Sequence, residues 1–171
     1  MKPVVVKQYL CDALFRLMEK KDFHSITVNE LVKVAGVCRA SFYRNFLSIE
    51  NIVDEFYKNC FTEIFQQNCM YENNIQTAVR NIFSAIKLKR KELSLLHRQG
   101  LLDGMEKYVF NGTIKQINEF DVLNNRYQPH FFAGASYALI KAWIEFDFEE
   151  SEDEITDIFF NSLKGYLTLK F

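Results

Sequence analysis

Apolar residues recur every three or four positions along most of the chain, and this spacing predicts amphipathic helices. The first stripe predicts a helix over residues 4–21 and comprises Val6, Leu10, Leu14, Leu17 and Met18. Further stripes predict helices over 28–34, 38–45, 48–67, 75–89, two segments within 93–120, 130–146 and 152–169. The pair Asn111-Gly112 is a candidate break in this series. The pattern therefore predicts an all-α protein of about nine helices.

The second and third predicted helices form a helix-turn-helix pattern. Thr27 precedes the first of them and Glu30 follows three residues later, the spacing of a capping box at a helix start. Gly36 tolerates a positive φ and so permits a sharp turn between the two helices. In the second helix Phe42 and Phe46 can face inward, and the open face carries Arg39, Ala40, Ser41, Tyr43 and Arg44. Such a face suits the major groove of DNA and its phosphates.

The penultimate predicted helix, over 130–146, is apolar on nearly every face. A helix that is apolar on more than one face must be buried on more than one face. In a protein of this size, a second copy of the chain is the most natural partner to cover the second apolar face. Small residues would let the two backbones approach closely, and these are Gly134, Ala135, Ser136 and Ala138. The pattern therefore predicts a homodimer.

Composition agrees with a folded helical protein that offers one end to DNA. Of the 171 residues, 49% are apolar and 25% are charged, and only two are proline and six glycine. The net charge of −1 hides an asymmetry, because residues 1–50 carry eight Lys/Arg against five Asp/Glu and are therefore +3. Residues 1–50 are thus mildly basic and the remainder of the chain is acidic. This division is typical of a protein that binds DNA through its N-terminal part.

Several classes of protein are not expected from this sequence. No run approaches the roughly 18 apolar residues that span a bilayer, and the N-terminus lacks a signal-peptide pattern, so we expect a cytoplasmic protein without a membrane partner. The four cysteines and three histidines lack the spacing of a metal site or a catalytic triad. We therefore expect neither an enzyme nor a bound cofactor.

A small-molecule effector pocket in the body is a further hypothesis, and its alternative is a filled core. Pockets combine aromatic bulk with a few polar groups. The candidates of this kind are Phe61, Phe65, Phe83, His97, Met105, Tyr108, Phe120 and Tyr137.

The N-terminal residues resemble the DNA-binding domain of the tetracycline-repressor (TetR) family over roughly the first 55 positions. The resemblance rests on Ile26-Thr27-Val28, Leu31, Ala35-Gly36-Val37, Ser41-Phe42-Tyr43-x-x-Phe46 and Ser48-x-Glu50. Two positions depart from the family pattern. The family often has His where this chain has Asn45 and Lys where it has Ile49, and in the family both the His and the Lys usually contact DNA phosphates. The C-terminal part is more loosely similar to regulators of dihydroxyacetone-kinase operons, through Phe132-x-Gly134, Ile140-x-x-Trp143 and the acidic segment that follows.

This resemblance implies a homodimeric transcription regulator, most simply a ligand-responsive repressor of a palindromic operator in double-stranded DNA. The DNA-binding domain would span residues 1–47, and residues 48–171 would bind the effector and dimerise through the last two helices. The DNA-contacting residues would be Lys7, Thr27, Arg39, Ala40, Ser41, Tyr43, Arg44 and Asn45. The dimer interface would comprise Phe132, Ala135, Leu139, Trp143, Ile155, Phe159, Leu163 and Tyr166. Two alternatives stay open: a regulator controlled by a protein partner, and a helical interaction module that has lost DNA binding.

Overall fold

The fold was analysed in a computed structural model, which describes residues 3–67, 74–120 and 125–168 of the chain. These residues form nine α-helices and two short 3-10 segments, with no strand among them. The helices are α1 Pro3–Met18, α2 Val28–Ala35, α3 Arg39–Asn45, α4 Glu50–Gln67, α5 Ile75–Lys87, α6 Arg90–Arg98, α7 Glu106–Phe120, α8 Gln128–Glu145 and α9 Glu152–Thr168. The all-helical prediction is confirmed. Within the described ranges, no helix is long and apolar enough to span a bilayer.

The chain divides into two compact units. The first comprises residues 1–59 together with 95–105, and the second comprises 60–94 together with 106–171. Residues 95–105, which the sequence prediction placed in the C-terminal domain, therefore pack with the N-terminal helices. Both α4 and α6 contribute residues to each unit.

The first unit is built on α1, which packs against α2 and α3. Side chains from all three helices are fully buried, including Leu10, Leu14, Leu31 and Phe42. The predicted capping box is present, because Thr27 Oγ1 accepts from the Glu30 N–H at 3.3 Å and Glu30 Oε2 accepts from the Thr27 N–H at 3.0 Å. Gly36 ends α2 with a φ of +67°, and the Val37 N–H reaches back to the Val32 carbonyl at 3.0 Å.

The second unit is held by packing of α7 on α8, α5 on α9 and α8 on α9. Its aromatic centre is Trp143, 1% exposed, whose ring lies 5.6 Å from Phe83 and 4.8 Å from Phe148. Asp147 and Phe148 end α8 with φ values of +51° and +58°, a conformation that non-glycine residues seldom adopt. The Asp147 carboxylate accepts from Arg90 Nη2 at 2.6 Å and from Ser94 Oγ at 3.0 Å, so side-chain contacts hold this strained turn.

The candidate break at Asn111-Gly112 is wrong, because α7 runs unbroken from Glu106 to Phe120. A Cβ atom at position 112 would overlap the ring of Phe65. Glycine at this position therefore serves close packing of α7 against an aromatic side chain, and local sequence cannot distinguish that role from a helix end.

Candidate nucleic-acid interface

Helix α3 has one buried face and one open face. Phe42 is fully buried and Phe46 is 6% exposed, and both anchor the helix on the core of the first unit. The side chains of Arg39, Ala40, Tyr43 and Arg44 are exposed, as the sequence prediction required. Two guanidinium groups and a phenol therefore stand together on the outward side of a short helix.

Arg39 and Tyr43 order each other on this open face. Arg39 Nη2 donates to Tyr43 Oη at 3.3 Å, and the guanidinium carbon lies 5.5 Å from the centre of the Tyr43 ring. Residues four apart on a helix are neighbours, so this contact follows from the sequence spacing. It restrains the Arg39 side chain and reduces the conformational entropy that binding would remove.

Ser41 and Asn45 are engaged inside the helix. The Ser41 hydroxyl accepts from Arg44 Nη2 at 2.9 Å and lies 3.2 Å from Cys38 Sγ. Asn45 Nδ2 donates to the Ser41 carbonyl at 2.7 Å, and both side chains are half-buried. These bonds use one amide hydrogen of Asn45 and part of the bonding capacity of the Ser41 hydroxyl, so they restrain both side chains without excluding a contact with DNA.

Cys38 begins the open face at the N-cap of α3 and its thiol is exposed. Hydrogen bonds from the Ser41 side chain and backbone lower the pKa of this thiol below its ordinary value, and the charge of Arg44 adds to the effect.

The N-terminus of α2, in the same unit, is stabilised by an ion pair and by hydrogen bonds to a carboxylate. Lys21 Nζ donates to the Glu30 carboxylate at 2.9 and 3.0 Å, while Thr27 donates to the same carboxylate through its hydroxyl and its backbone N–H. The hydrogen bond from Lys21, followed by those from Thr27, lowers the pKa of Glu30 to about 2. The Thr27 hydroxyl, a predicted phosphate contact, is therefore occupied by its capping role.

Lys7, also a predicted phosphate contact, is paired within the first unit. Its Nζ donates to Glu55 Oε1 at 2.7 Å and lies 5.5 Å from the centre of the Phe46 ring. Ile49, at the position where the family often has lysine, is only 8% exposed and belongs to the core. Among the predicted DNA-contacting residues, the long polar side chains that are exposed are therefore Arg39, Tyr43 and Arg44.

The effector-pocket candidates are distributed over both units. His97 and Met105 belong to the first unit, and Phe61, Phe65, Phe83, Tyr108 and Tyr137 to the second. Phe61, Phe65 and Phe83 are 1%, 6% and 3% exposed, so each is packed in its own unit. The side chain of Phe120 lies outside the described residues.

Gln116 is a residue of the second unit that the sequence analysis missed. It is 8% exposed, and its Nε2 donates to the Phe65 carbonyl at 2.7 Å. Because that carbonyl can only accept, the amide orientation is fixed and Oε1 must be the other atom. Gln116 Oε1 is buried without a hydrogen-bond partner among the described residues. No local signal marks this glutamine, since its partner is 51 positions away.

The predicted dimer-interface residues separate by burial. Trp143 and Ile155 are 1% and 2% exposed and lie in the core of the single chain. The half-buried members are Phe132, Ala135, Leu139, Phe159 and Leu163, and the side chain of Tyr166 lies outside the described residues. Phe131, beside them on α8, is 59% exposed.

In the part of the chain that the structure describes, no group of three or more His, Cys, Asp or Glu side chains is arranged to hold a metal ion.

The sequence of the first unit is similar to a known family of proteins. Residues 10–56 match the sequence pattern of the bacterial regulatory proteins, tetR family. The chain is also similar to the HTH-type dhaKLM operon transcriptional activator DhaS of Lactococcus lactis subsp. lactis (strain IL1403). That match is 26% identical over 70 residues and spans 41% of this chain and 37% of DhaS.

Solved structures resemble nearly the whole chain. A structure described as dihydroxyacetone kinase operon activator DhaS has a TM-score of 0.68 at 16% identity, covering 95% of this chain and 96% of its own. The TetR family repressor AlkX from Dietzia sp. strain DQ12-45-1b has a TM-score of 0.64 at 15% identity, covering 93% and 96%. A TetR transcriptional regulator from Streptococcus agalactiae 2603V has a TM-score of 0.66 at 15% identity, covering 92% of each chain. These likenesses establish a shared fold.

Proposed function

We propose that this TetR-family regulator binds a palindromic operator as a homodimer and represses transcription until an effector binds its second unit. The observation that carries the proposal is the open face of α3, where Arg39, Tyr43 and Arg44 stand exposed on a buried aromatic anchor. We assign base reading to Arg39, Ala40, Ser41 and Tyr43, because arginine reads guanine bidentately and small side chains meet the thymine methyl. Arg44 contacts phosphate, with Thr27, Asn45 and Lys7 as further candidates.

Homodimerisation is supported by the surface of the last two helices. Phe131, Ala135 and Ala138 are spaced four and three residues apart and therefore share one face of α8, and Phe131 and Ala138 are exposed. Ile158 on α9 is 40% exposed. A second copy that covers these residues would give the assembly two α3 helices, and an operator with two half-sites would follow.

An effector is supported by the unpaired oxygen of Gln116. A buried amide oxygen without a partner costs about 1–3 kcal/mol relative to a paired one. A neutral ligand with a hydroxyl or an amide N–H would satisfy this oxygen. Such a ligand regulates DNA binding only through its different affinities for the two states of the protein.

The decisive experiment is selection from a randomised duplex library, followed by sequencing of the bound fraction. Enrichment of a palindrome, with affinity that falls steeply as salt rises, supports a dimeric DNA reader. The matched control is the double variant Arg39→Ala/Arg44→Ala, which should recover no palindrome while remaining folded by circular dichroism. If the unaltered chain enriches no sequence at low salt, the interaction-module alternative is preferred.

Three further measurements test the dimer, the sign of regulation and the nature of the effector. Sedimentation at micromolar concentration should give a dimer, and a monomer would refute that part of the proposal. A reporter placed behind the palindrome should rise in expression when the regulator is deleted, whereas a fall would indicate an activator. Release of the duplex by a protein partner but by no metabolite would favour the protein-controlled alternative.

A further inference from the structure

One side-chain amide in the first unit makes three hydrogen bonds to backbone groups far away in sequence. Gln99 Nε2 donates to the Met18 carbonyl at 2.9 Å and to the Lys21 carbonyl at 3.3 Å. Gln99 Oε1 accepts from the Phe23 N–H at 2.8 Å. Both amide hydrogens and the amide oxygen are therefore used, and the three partners lie at the last residue of α1 and in the turn that follows it.

This arrangement requires an amide side chain of this length. Two carbonyls need two donors and one N–H needs an acceptor, and among long side chains glutamine alone supplies all three. The carbonyl of Met18 is also one of the groups that the end of α1 leaves without a helical partner. Gln99 thus caps α1 and fixes the turn behind it.

The position of Gln99 is itself well determined. It lies between α6 and Gly100, which has a φ of +69°, and the Leu101 N–H returns to the Leu96 carbonyl at 2.9 Å. Tyr57 Oη, on α4, donates to the Leu101 carbonyl at 3.1 Å. The segment 95–105 is therefore tied to α4 as well as to α1.

The turn that Gln99 holds also carries the side chain that secures α2. The carbonyl of Lys21 accepts from Gln99, and the ammonium of the same residue donates to Glu30. Glu30 in turn accepts both donors of Thr27, the N-cap of α2. A continuous series of polar contacts therefore leads from Gln99 to the first helix of the helix-turn-helix.

We propose that Gln99 is a positioning residue for the helix-turn-helix, and that from the segment 95–105 it holds the N-terminus of α2 in place through Lys21 and Glu30. Because α6 contributes residues to both units, this segment is continuous with a helix of the second unit. The effect on DNA affinity rests on the proposed function, whereas the effect on α2 does not.

The test uses the full chain without DNA first. In Gln99→Ala, hydrogen exchange should quicken at the Phe23 amide, which loses its acceptor, and also at the amides of Glu30 and Leu31 in the first turn of α2. Lys21→Met keeps the backbone carbonyl and removes the link to Glu30, so the α2 amides should quicken while Phe23 stays protected. Gln66→Ala, on an exposed part of α4, is the matched control and should change neither. Gln99→Glu keeps the acceptor for the Phe23 N–H and removes both donors. If the alanine variant does not fold, Gln99→Glu replaces it, and the α2 amides should then quicken while Phe23 stays protected.

DNA affinity for the selected palindrome gives the second readout. Gln99→Ala and Lys21→Met should each weaken binding roughly three- to thirtyfold, and their combination should weaken it by less than the product of the two. The salt dependence of binding should be unchanged, because loss of a direct phosphate contact would lower its slope by about 1.

Two results would overturn the proposal: exchange that quickens at Phe23 but not in α2, or affinity equal to that of the unaltered chain despite quickened α2 exchange. If the unaltered chain binds no duplex, the proposed function fails. The exchange measurements then decide alone whether Gln99 positions α2.

Discussion

Replacement of Gly112 by alanine should destabilise the second unit, although the same change in most helix interiors is stabilising. Gly112 lies inside α7, where alanine ordinarily gains about 0.5–1 kcal/mol over glycine. Here the added methyl group would overlap the ring of Phe65, a side chain only 6% exposed. The ring has little room to rotate because it is buried, and a shift of the Phe65 backbone would disturb the hydrogen bond of 2.7 Å from Gln116 to its carbonyl.

The expected magnitude follows from these two opposing effects. Overpacking of a filled core costs about 1–3 kcal/mol, which exceeds the gain in helix propensity. After subtraction of the gain of about 0.5–1 kcal/mol, Gly112→Ala should lower the free energy of unfolding by up to about 2.5 kcal/mol. For a chain of this length, each kcal/mol lowers the midpoint temperature by about 2–4 °C.

The assay is denaturant unfolding followed by circular dichroism, with a neighbouring substitution as the control. Asn111→Ala adds a better helix former on the exposed side of the same turn and should stabilise by roughly 0.5 kcal/mol. In the Gly112→Ala background, Phe65→Leu should cost less than it does alone, because the smaller side chain relieves the overlap. If Gly112→Ala proves as stable as Asn111→Ala, the packing explanation for this glycine is refuted.

Three further predictions concern the first unit and the cysteines. Arg39→Ala should weaken operator binding by about 1–3 kcal/mol and relax specificity at one position in a competition assay, whereas an equal loss on every sequence would indicate a phosphate contact. The lowered pKa of Glu30 means that its carboxylate stabilises the fold fully above the ordinary pKa of 4.5, and that this contribution is lost as pH falls towards 2. Glu30→Gln should therefore reduce the fall in midpoint temperature over that acid range, and an unchanged acid profile would contradict the assignment. Peptide mapping after alkylation at pH 8 should find Cys38 modified well before Cys60, because burial raises the pKa of the Cys60 thiol to about 12; equal rates in the folded protein would contradict this order.

Local sequence sufficed where a feature depends on neighbouring residues. The capping box at Thr27, the turn at Gly36 and the buried faces of α2 and α3 are all defined by spacings of a few positions, and the structure contains each of them. The exposed face of α3 could be predicted for the same reason.

Features that depend on distant partners could not be predicted. Gln99 contacts backbone groups 76 to 81 positions away, and Gln116 contacts one 51 positions away, so no periodicity marks either residue. The pair Asn111-Gly112 predicts a break in the helix. The actual role of Gly112 is close packing against Phe65, which lies on another helix and leaves no signal in the neighbouring residues. The resemblance predicts Trp143 at the dimer interface, and the apolar pattern of α8 cannot distinguish a face covered by the same chain from one covered by a second copy.

The composition of the first unit has a consequence for protein synthesis. Its helices α1 to α3 are translated before residues 60–94 of the second unit, yet the first unit also needs residues 95–105. At about 5–20 residues per second, translation of residues 60–105 takes roughly 2–9 seconds. During that interval the nascent helix-turn-helix lacks Gln99 and Leu101, so the first unit is completed only after residues 60–94 of the second unit have been translated. A fragment that ends at residue 59 would therefore reproduce an unfinished nascent chain and would lack the contacts that hold the turn after α1.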